Sequence, residues 1–206
     1  IAFVPHPEEI AEIALAHFER VPDGVVSFGQ GCEGDPLLAA EAIAPAIRLI
    51  RRRTPRGTIN LNTNASLPDT VASLFDAGLD SMRVSINSLQ EACYHAYFRP
   101  RGYSFDHVLQ SVRRALDHGG HVALNYLNLP GFTDTPEEYR ALHGFLTAHP
   151  IHLIQWRNLN YDPLRYYAAM DAAAVRGRPM GVPTLLQRIR REFPRLKFGY
   201  FNPALK

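Results

Sequence analysis

Short apolar segments alternate with longer amphipathic segments along the chain, and this alternation restricts the fold more than any other feature. The apolar segments predict strands, and the segments between them carry apolar residues at helical spacing. Strands that alternate with helices form parallel sheets, because a helical crossover returns the chain to the edge where the previous strand began. The predicted strands are 25–28, 58–64, 81–87, 121–128 and 151–160 with a strand-like tail at 196–203, and the predicted helices are 7–19, 36–53, 67–78, 105–120, 135–149 and 183–193.

The pattern therefore predicts an α/β fold with a mostly parallel sheet and outer helices. We find no linker and no low-complexity segment, so we predict a single domain over residues 1–206, with a core at 1–160 and a C-terminal extension at 161–206. The chain opens without an initiator Met, and its first predicted helix has no strand before it. We expect the domain to be incomplete at its N-terminus.

Composition excludes several classes of protein. A formal net charge of +2 gives no argument for a nucleic-acid surface. No apolar run approaches the roughly 20 residues that cross a bilayer, so we predict no membrane partner. The two cysteines, Cys32 and Cys93, suit a reducing cytoplasm better than a disulfide framework.

Polar residues interrupt the predicted strands at a spacing of two and near their carboxyl ends. A spacing of two places side chains on one face of a strand, and ligands of α/β proteins bind at the carboxyl ends of parallel strands. The pattern predicts a polar inner face that meets a ligand; the alternative is the water-facing side of an antiparallel sheet. The residues are Asn60, Asn62 and Asn64; Arg83, Ser85 and Asn87; Asn125 and Asn128; and Gln155, Arg157 and Asn160 with Asn158 between them.

A glycine-rich turn, Gly29, Gly31 and Gly34, follows the first predicted strand in the pattern G-x-G-x-x-G. Dinucleotide binding would need an acidic residue about 20 positions later, where this chain has the basic run "RLIRRRTPRG". Glu33 and Asp35 add acceptors beside the turn, and their charge would repel a pyrophosphate. The turn therefore favours a ligand that carries an ammonium group. Asp35 followed by Pro36 predicts a helix N-cap.

These residues resemble the radical S-adenosylmethionine (radical SAM) family over nearly the whole chain. In that family a glycine-rich turn, often ending Gly-Glu-Pro-Leu-Leu, binds the amino group of SAM; here the turn reads "EGDPLL". The next strand often ends Thr-Asn-Gly, and here it ends Thr63, Asn64 and Ala65. "RVSINS" matches the strand that presents polar side chains to the SAM ribose and carboxylate, and "LNYLNLPGFTDTPEE" matches the fifth strand and its glycine turn.

The resemblance implies a partial (β/α) barrel of radical SAM type and a set of SAM contacts. The strand "IQWRNLN" resembles the family's sixth strand, and its residues Arg157, Asn158 and Asn160 are candidates for the substrate or pocket lining. The resemblance identifies no catalytic residue and no metal ligand. The implied SAM contacts are Gln30, Gly31, Cys32, Glu33, Gly34, Asp35, Thr63, Asn64, Arg83, Ser85, Asn87 and Asn125.

One departure from the family concerns its C-x₃-C-x₂-C motif, which ligates a [4Fe–4S] cluster and is missing here. Cys32 and Cys93 cannot replace it, because such clusters need several clustered thiolates. By the family's order the motif would precede Ile1. The resemblance thus implies that the intact protein, with an external electron donor, cleaves SAM reductively to start radical chemistry on an unknown substrate.

Two alternatives remain open from the sequence. One is a cluster-free barrel that binds SAM or another metabolite without radical activity. The other is a barrel enzyme that acts on a small anionic ligand through Arg83 and Arg157. The basic run "RLIRRR" predicts a solvated helix end, and His118 and His121 predict surface histidines rather than a metal site.

Overall fold

A computed structural model describes residues 3–29, 34–200 and 202–205. Six strands alternate with helices in these residues. The strands are β1 (Val25–Phe28), β2 (Thr58–Thr63), β3 (Ser81–Ile86), β4 (His121–Asn128), β5 (Leu153–Asn158) and the short β6 (Lys197–Phe198). The helices are α1 (Pro7–Arg20), α2 (Ala40–Arg53, preceded by a 3-10 turn at Pro36–Ala39), α3 (Pro68–Ala77), α4 (Glu91–Phe98), α5 (Phe105–Asp117), α6 (Pro136–Ala148), α7 (Pro163–Ala173) and α8 (Val182–Glu192).

The strands form one sheet in the order β1-β2-β3-β4-β5-β6. The pairs β1–β2, β2–β3, β4–β5 and β5–β6 are parallel. The predicted α/β fold with a mostly parallel sheet is therefore confirmed, and the antiparallel alternative is wrong. The sheet has six strands rather than about five, because the predicted tail contributes a strand of two residues.

Two helices, α4 and α7, were not predicted from the sequence. The segment "EACYHAYF" of α4 is short, and its apolar residues do not form one stripe. The start of α7 does carry a signal: the Asp162 carboxylate accepts hydrogen bonds from the backbone N–H groups of Leu164 (2.9 Å) and Arg165 (3.1 Å). Asp followed by Pro at the first helical position is the same N-cap pattern that Asp35–Pro36 shows.

Residue contacts divide the chain into two compact units. The first consists of residues 1–84, 106–122 and 201–206. Aliphatic side chains of α2, β2 and α3 are fully buried in its core, among them Ile47, Ile50, Ile59, Leu61 and Leu74. Burial of each such side chain contributes about 1.5–3 kcal/mol.

The second unit consists of residues 85–105 and 123–200. One of its buried clusters joins α4, α7, the end of β4 and the turn after it, through Cys93, Leu127, Phe132, Tyr166 and Met170. Among the described residues of both units, no helix is long and apolar enough to cross a membrane. A single domain over residues 1–206 stays a prediction.

The basic end of α2 differs from its prediction. The guanidinium of Arg51 donates to the carbonyl oxygens of Gly78 (3.0 Å), Arg56 (3.1 Å) and Gly57 (3.2 Å) and forms an ion pair with Asp80. Asp80 also accepts a hydrogen bond from the backbone N–H of Ile59 (2.7 Å). The prediction of a solvated helix end is therefore wrong for Arg51. It holds for Arg52 and Arg53, which are exposed.

We expect Arg51→Ala to lower the free energy of unfolding by about 3 kcal/mol, because it leaves Asp80 and three backbone carbonyls without their cationic donor. The exposed neighbour Arg52→Ala is the matched control and should change the free energy by less than about 0.5 kcal/mol. Urea unfolding of both variants measures the difference. Equal midpoints would show that the Arg51 contacts add no stability.

Candidate functional site

The glycine turn after β1 is described at its two ends. Gly29 and Gly34 have φ angles of +90° and +91°, a region where side chains are strained. A Cβ atom on Gly29 would collide with the backbone oxygen of Asn62, so no larger residue fits there without a shift of the chain. The predicted SAM contacts Gln30, Gly31, Cys32 and Glu33 lie outside the described residues.

Asp35 connects the far end of this turn to the end of β2. Its carboxylate accepts hydrogen bonds from the Thr63 hydroxyl (2.6 Å), the Asn64 backbone N–H (2.6 Å) and the Leu37 backbone N–H (3.1 Å). The last of these confirms the predicted N-cap at Asp35, with Pro36 at the first position of the 3-10 turn. Three predicted SAM contacts are thus brought together, and their mutual hydrogen bonds position the turn.

Asn62 connects the near end of the turn to the same strand. Its side-chain Nδ2 donates to the carbonyl oxygen of Gly29 at 3.1 Å. The end of β2 therefore contacts both ends of the glycine turn, through Asn62 on one side and through Thr63 and Asn64 on the other. Ala65 follows with a φ of +57°, at the position where the family motif often has Gly, and its N–H donates to the Thr63 hydroxyl (3.0 Å).

A polar face extends across the first three strands of the first unit. The strand register places Ser27 beside Asn60, Asn60 beside Ser81, and Asn62 beside Arg83. Ser81 donates to Asn60 Oδ1 (2.8 Å), and Asn60 Nδ2 donates to Asn62 Oδ1 (3.0 Å) and Ser27 Oγ (3.3 Å). The sequence pattern correctly placed Asn60, Asn62 and Arg83 on one side of the sheet.

The pattern was wrong for the fourth strand. Asn125 pairs in register with Gln155, and Asn128 pairs with Asn158. Because Asn125 and Asn128 are three residues apart, they lie on opposite faces of β4 rather than on one face. Tyr126, on the Asn128 side, reaches α6 by a hydrogen bond to Glu138, so Asn125 lies on the face away from α6.

Asn125 presents an acceptor without a partner. Its Oδ1 is shielded from solvent and has no hydrogen-bond partner among the described residues. A buried amide oxygen without a donor costs about 1–3 kcal/mol, which a bound ligand with a donor would recover. Asn125 is therefore a residue of the predicted set that suits a polar ligand. Ser85 lies half-buried on β3.

Asn87 lies just beyond β3 and is fully buried. Its Nδ2 donates to the Cys93 carbonyl (3.0 Å) and the Tyr166 hydroxyl (3.3 Å) and approaches the Met170 sulfur (3.9 Å). Only its Oδ1 lacks a partner among the described atoms. The amide nitrogen of Asn87 is therefore bonded within the second unit, and only its Oδ1 is left as an acceptor for a ligand.

The three predicted substrate residues lie at the carboxyl end of β5. Arg157, Asn158 and Asn160 are exposed. Arg157 lies close enough to Tyr97 to affect its ionisation: burial raises the pKa of Tyr97, and the Arg157 charge opposes that rise. Their role in binding a substrate stays a prediction.

Sequence patterns gave no signal for Glu138, a buried carboxylate in α6 with four donors. It accepts from the Ser88 hydroxyl (2.6 Å), the Gln90 side-chain amide (2.8 Å), the Leu89 backbone N–H (3.1 Å) and the Tyr126 hydroxyl. Burial raises the pKa of Glu138, while these hydrogen bonds act in the opposite direction. The residue fixes the loop that follows β3 and Asn87 against β4.

The cysteines do not supply a cluster site. The chain has two, and Cys93 is fully buried. Burial raises the pKa of the Cys93 thiol to about 11, so it stays protonated at neutral pH. No group of three or more potential metal ligands occurs in the part of the chain that the structure describes. A [4Fe–4S] cluster, which needs several thiolates, does not fit residues 1–206.

We expect Asp35→Ala to lower the free energy of unfolding by about 2 kcal/mol, because it removes an N-cap and leaves the Thr63 hydroxyl and the Asn64 N–H without their acceptor. Asp69→Ala is the matched control. Asp69 lies in the first turn of α3 with its side chain 89% exposed, so its loss should cost less than about 1 kcal/mol. Urea unfolding compares the two, and equal losses would contradict a special role for Asp35.

Glu138→Gln should remove a pH dependence of stability. Because the pKa of Glu138 is raised in the folded protein, its contribution is fully present below the unfolded value and is lost as pH rises through the folded value. The free energy of unfolding of the native protein, relative to that of the variant, should therefore fall as pH rises above about 4.5. Urea unfolding at several pH values tests this, and identical pH profiles would refute it.

We expect Glu138→Ala to lower the free energy of unfolding by about 3 kcal/mol or more at all pH values, because four donors lose their acceptor.

Comparisons with known proteins identify the family. The model of the radical SAM superfamily matches residues 2–143. The GTP 3',8-cyclase of Sulfurovum sp. (strain NBC37-1) is 33% identical over 102 residues, covering 49% of this chain and 30% of that protein. The FeMo cofactor biosynthesis protein NifB of Klebsiella pneumoniae is 31% identical over 116 residues, covering 50% of this chain and 25% of that protein. The chain thus spans less than a third of the length of these two curated relatives.

Among solved structures, Streptococcus suis SuiB bound to S-adenosylmethionine superposes with a TM-score of 0.65 at 14% sequence identity, covering 97% of this chain and 44% of SuiB. At that identity the likeness shows a shared fold. A radical SAM methyltransferase from Sphaerobacter thermophilus superposes with a TM-score of 0.64 at 17% identity, covering 99% of this chain and 60% of that one, and the shared fold confirms the predicted partial barrel of radical SAM type. Because the family model matches more than half of its length, the chain belongs to the radical SAM superfamily.

Proposed function

We propose that this chain forms the SAM-binding part of a radical SAM enzyme. The proposal is supported by the glycine turn, whose two ends are hydrogen-bonded to the end of β2. The radical SAM family model matches residues 2–143, which include this turn. Membership of the superfamily implies SAM and a [4Fe–4S] cluster as cofactors. Membership of the superfamily does not favour the alternatives in which the barrel acts without a cluster.

The glycine turn of the first unit has the chemistry that a zwitterionic ligand needs. Positive-φ glycines at positions 29 and 34 bring unshielded backbone close to a ligand. We propose that the turn binds the SAM amino group and that Arg83 contributes a polar contact. Asn125, in the second unit, is proposed separately as a SAM contact, because its Oδ1 is an unused acceptor. Asp35, Thr63 and Asn64 would then act mainly by fixing the turn, since their polar groups bond to one another.

The cluster ligands would come from another part of the intact protein. When cluster and SAM are bound, the chemistry they supply in this superfamily is reductive cleavage of the SAM sulfonium bond, with an external electron donor. β1 stands at one end of the sheet, and one of its edges is unpaired among the described residues. A strand with a three-cysteine loop could add there in parallel.

We expect the native gene product, purified anaerobically and supplied with iron and sulfide, to bind SAM and to release 5′-deoxyadenosine when dithionite is added. Equilibrium dialysis with labelled SAM measures binding, and chromatography measures the nucleoside. SAM binding without the nucleoside would support a degenerate binding scaffold instead. Absence of SAM binding would refute the proposal.

The same experiment includes a matched pair of variants. Asn125→Ala should weaken SAM binding about tenfold, the equivalent of one hydrogen bond of about 1.4 kcal/mol. Asn128→Ala removes an acceptor that likewise has no partner among the described residues, but from the opposite face of β4, and should change the dissociation constant less than about twofold. Equal effects of the two variants would remove Asn125 from the proposed site.

A further inference from the structure

The segment 202–205 lies along the polar face of the first unit. Asn202 Nδ2 donates to Ser27 Oγ (3.1 Å) and approaches Asn62 Oδ1 (3.4 Å), while the backbone N–H of Leu205 donates to Thr58 Oγ1 (2.7 Å). Thr58 and Asn62 are four residues apart on β2, so their side chains share a face. The segment therefore runs along β2 from its carboxyl end toward its amino end.

The Asn202 amide shares its acceptors with Asn60. Both amides donate to Ser27 Oγ, and both are donors to Asn62 Oδ1. Two N–H donors on Oδ1 fix the orientation of the Asn62 amide, because a flipped amide would direct its own NH₂ group at them. In the fixed orientation, Asn62 Nδ2 faces the carbonyl oxygen of Gly29.

We propose that Asn202 is a positioning residue for the glycine turn. It acts through Asn62: the Asn202 amide helps to hold the Asn62 side chain in the orientation that donates to Gly29, where the turn begins. The effect on SAM affinity rests on the proposed function, whereas the effect on the turn itself does not. The C-terminal segment would thereby belong to the ligand site, although nearly the whole chain separates it from the turn in sequence.

Replacement of Asn202 by Asp distinguishes positioning from simple coverage of the sheet. Asp has the same shape as Asn but no amide donor, and its carboxylate would face the Asn62 oxygen. A flip of Asn62 would relieve that repulsion but would oppose its NH₂ group to that of Asn60 and its oxygen to the Gly29 carbonyl. We therefore expect Asn202→Asp to disturb the turn at least as much as Asn202→Ala. A segment that only covers the face would tolerate Asp.

The test uses the intact protein in three variants. Asn202→Ala and Asn202→Asp remove the donor, and Thr58→Val removes the contact at the other end of the segment while preserving the volume of the side chain. Hydrogen exchange of the peptide that contains residues 25–35 is measured without SAM, and SAM binding is measured by equilibrium dialysis. We expect both Asn202 variants to exchange faster in this peptide and to bind SAM about three- to tenfold more weakly, with Thr58→Val within about twofold of the native protein.

The outcomes separate the inference from the proposed function. If the native protein binds no SAM, the proposed function fails, and hydrogen exchange in the turn still decides the role of Asn202. If the Asn202 variants match the native protein in exchange of the turn, the inference is overturned. If Thr58→Val matches them in both readouts, the segment acts only as a cover, and the inference is likewise overturned.

Discussion

The hydrogen bonds between the Asp35 carboxylate and the end of β2 fix the far end of the glycine turn in the first unit. Glycines such as Gly29 and Gly34 have little conformational preference of their own, so groups outside the turn must fix their positions. Asp35 supplies one such group, because the same carboxylate caps the 3-10 turn and accepts from Thr63 and Asn64. Asn62 supplies the other through the Gly29 carbonyl. The two described ends of the turn are thus held by three consecutive residues, the last two of β2 and Asn64 directly after it.

This arrangement explains why polar residues occur in a strand that is otherwise buried. Parallel strands covered on both faces are usually continuous apolar runs. In β2 the apolar residues Ile59 and Leu61 are fully buried in the core, while Asn60 and Asn62 alternate with them and form the polar network on the other face. Each buried amide in that network has a partner, which keeps its desolvation cost low.

Much of this organisation follows from local sequence patterns. The strand and helix alternation, the Asp35–Pro36 cap and the period-two polar residues of β2 each depend on residues close together in the chain, so the sequence predicted them. Arg51, Glu138 and Asn202 depend on partners far along the chain, at Asp80, at Ser88 to Gln90 and Tyr126, and at Ser27 and Asn62. Local patterns carry no information about such pairings, and for Arg51 the helix-end prediction was wrong for that reason. The prediction for Asn125 and Asn128 was wrong for a different reason. These residues are three positions apart, so they lie on opposite faces of β4, whereas the sequence pattern assigned them to one face.

The location of the bound ligand can be measured residue by residue. We would titrate the isotope-labelled protein with SAM and follow its backbone amide resonances by NMR. We expect the largest shifts at the glycine turn, at Thr63 and Asn64, and at Asn125, with saturable behaviour. Saturable shifts confined to other parts of the chain, with these amides unmoved, would contradict this expectation.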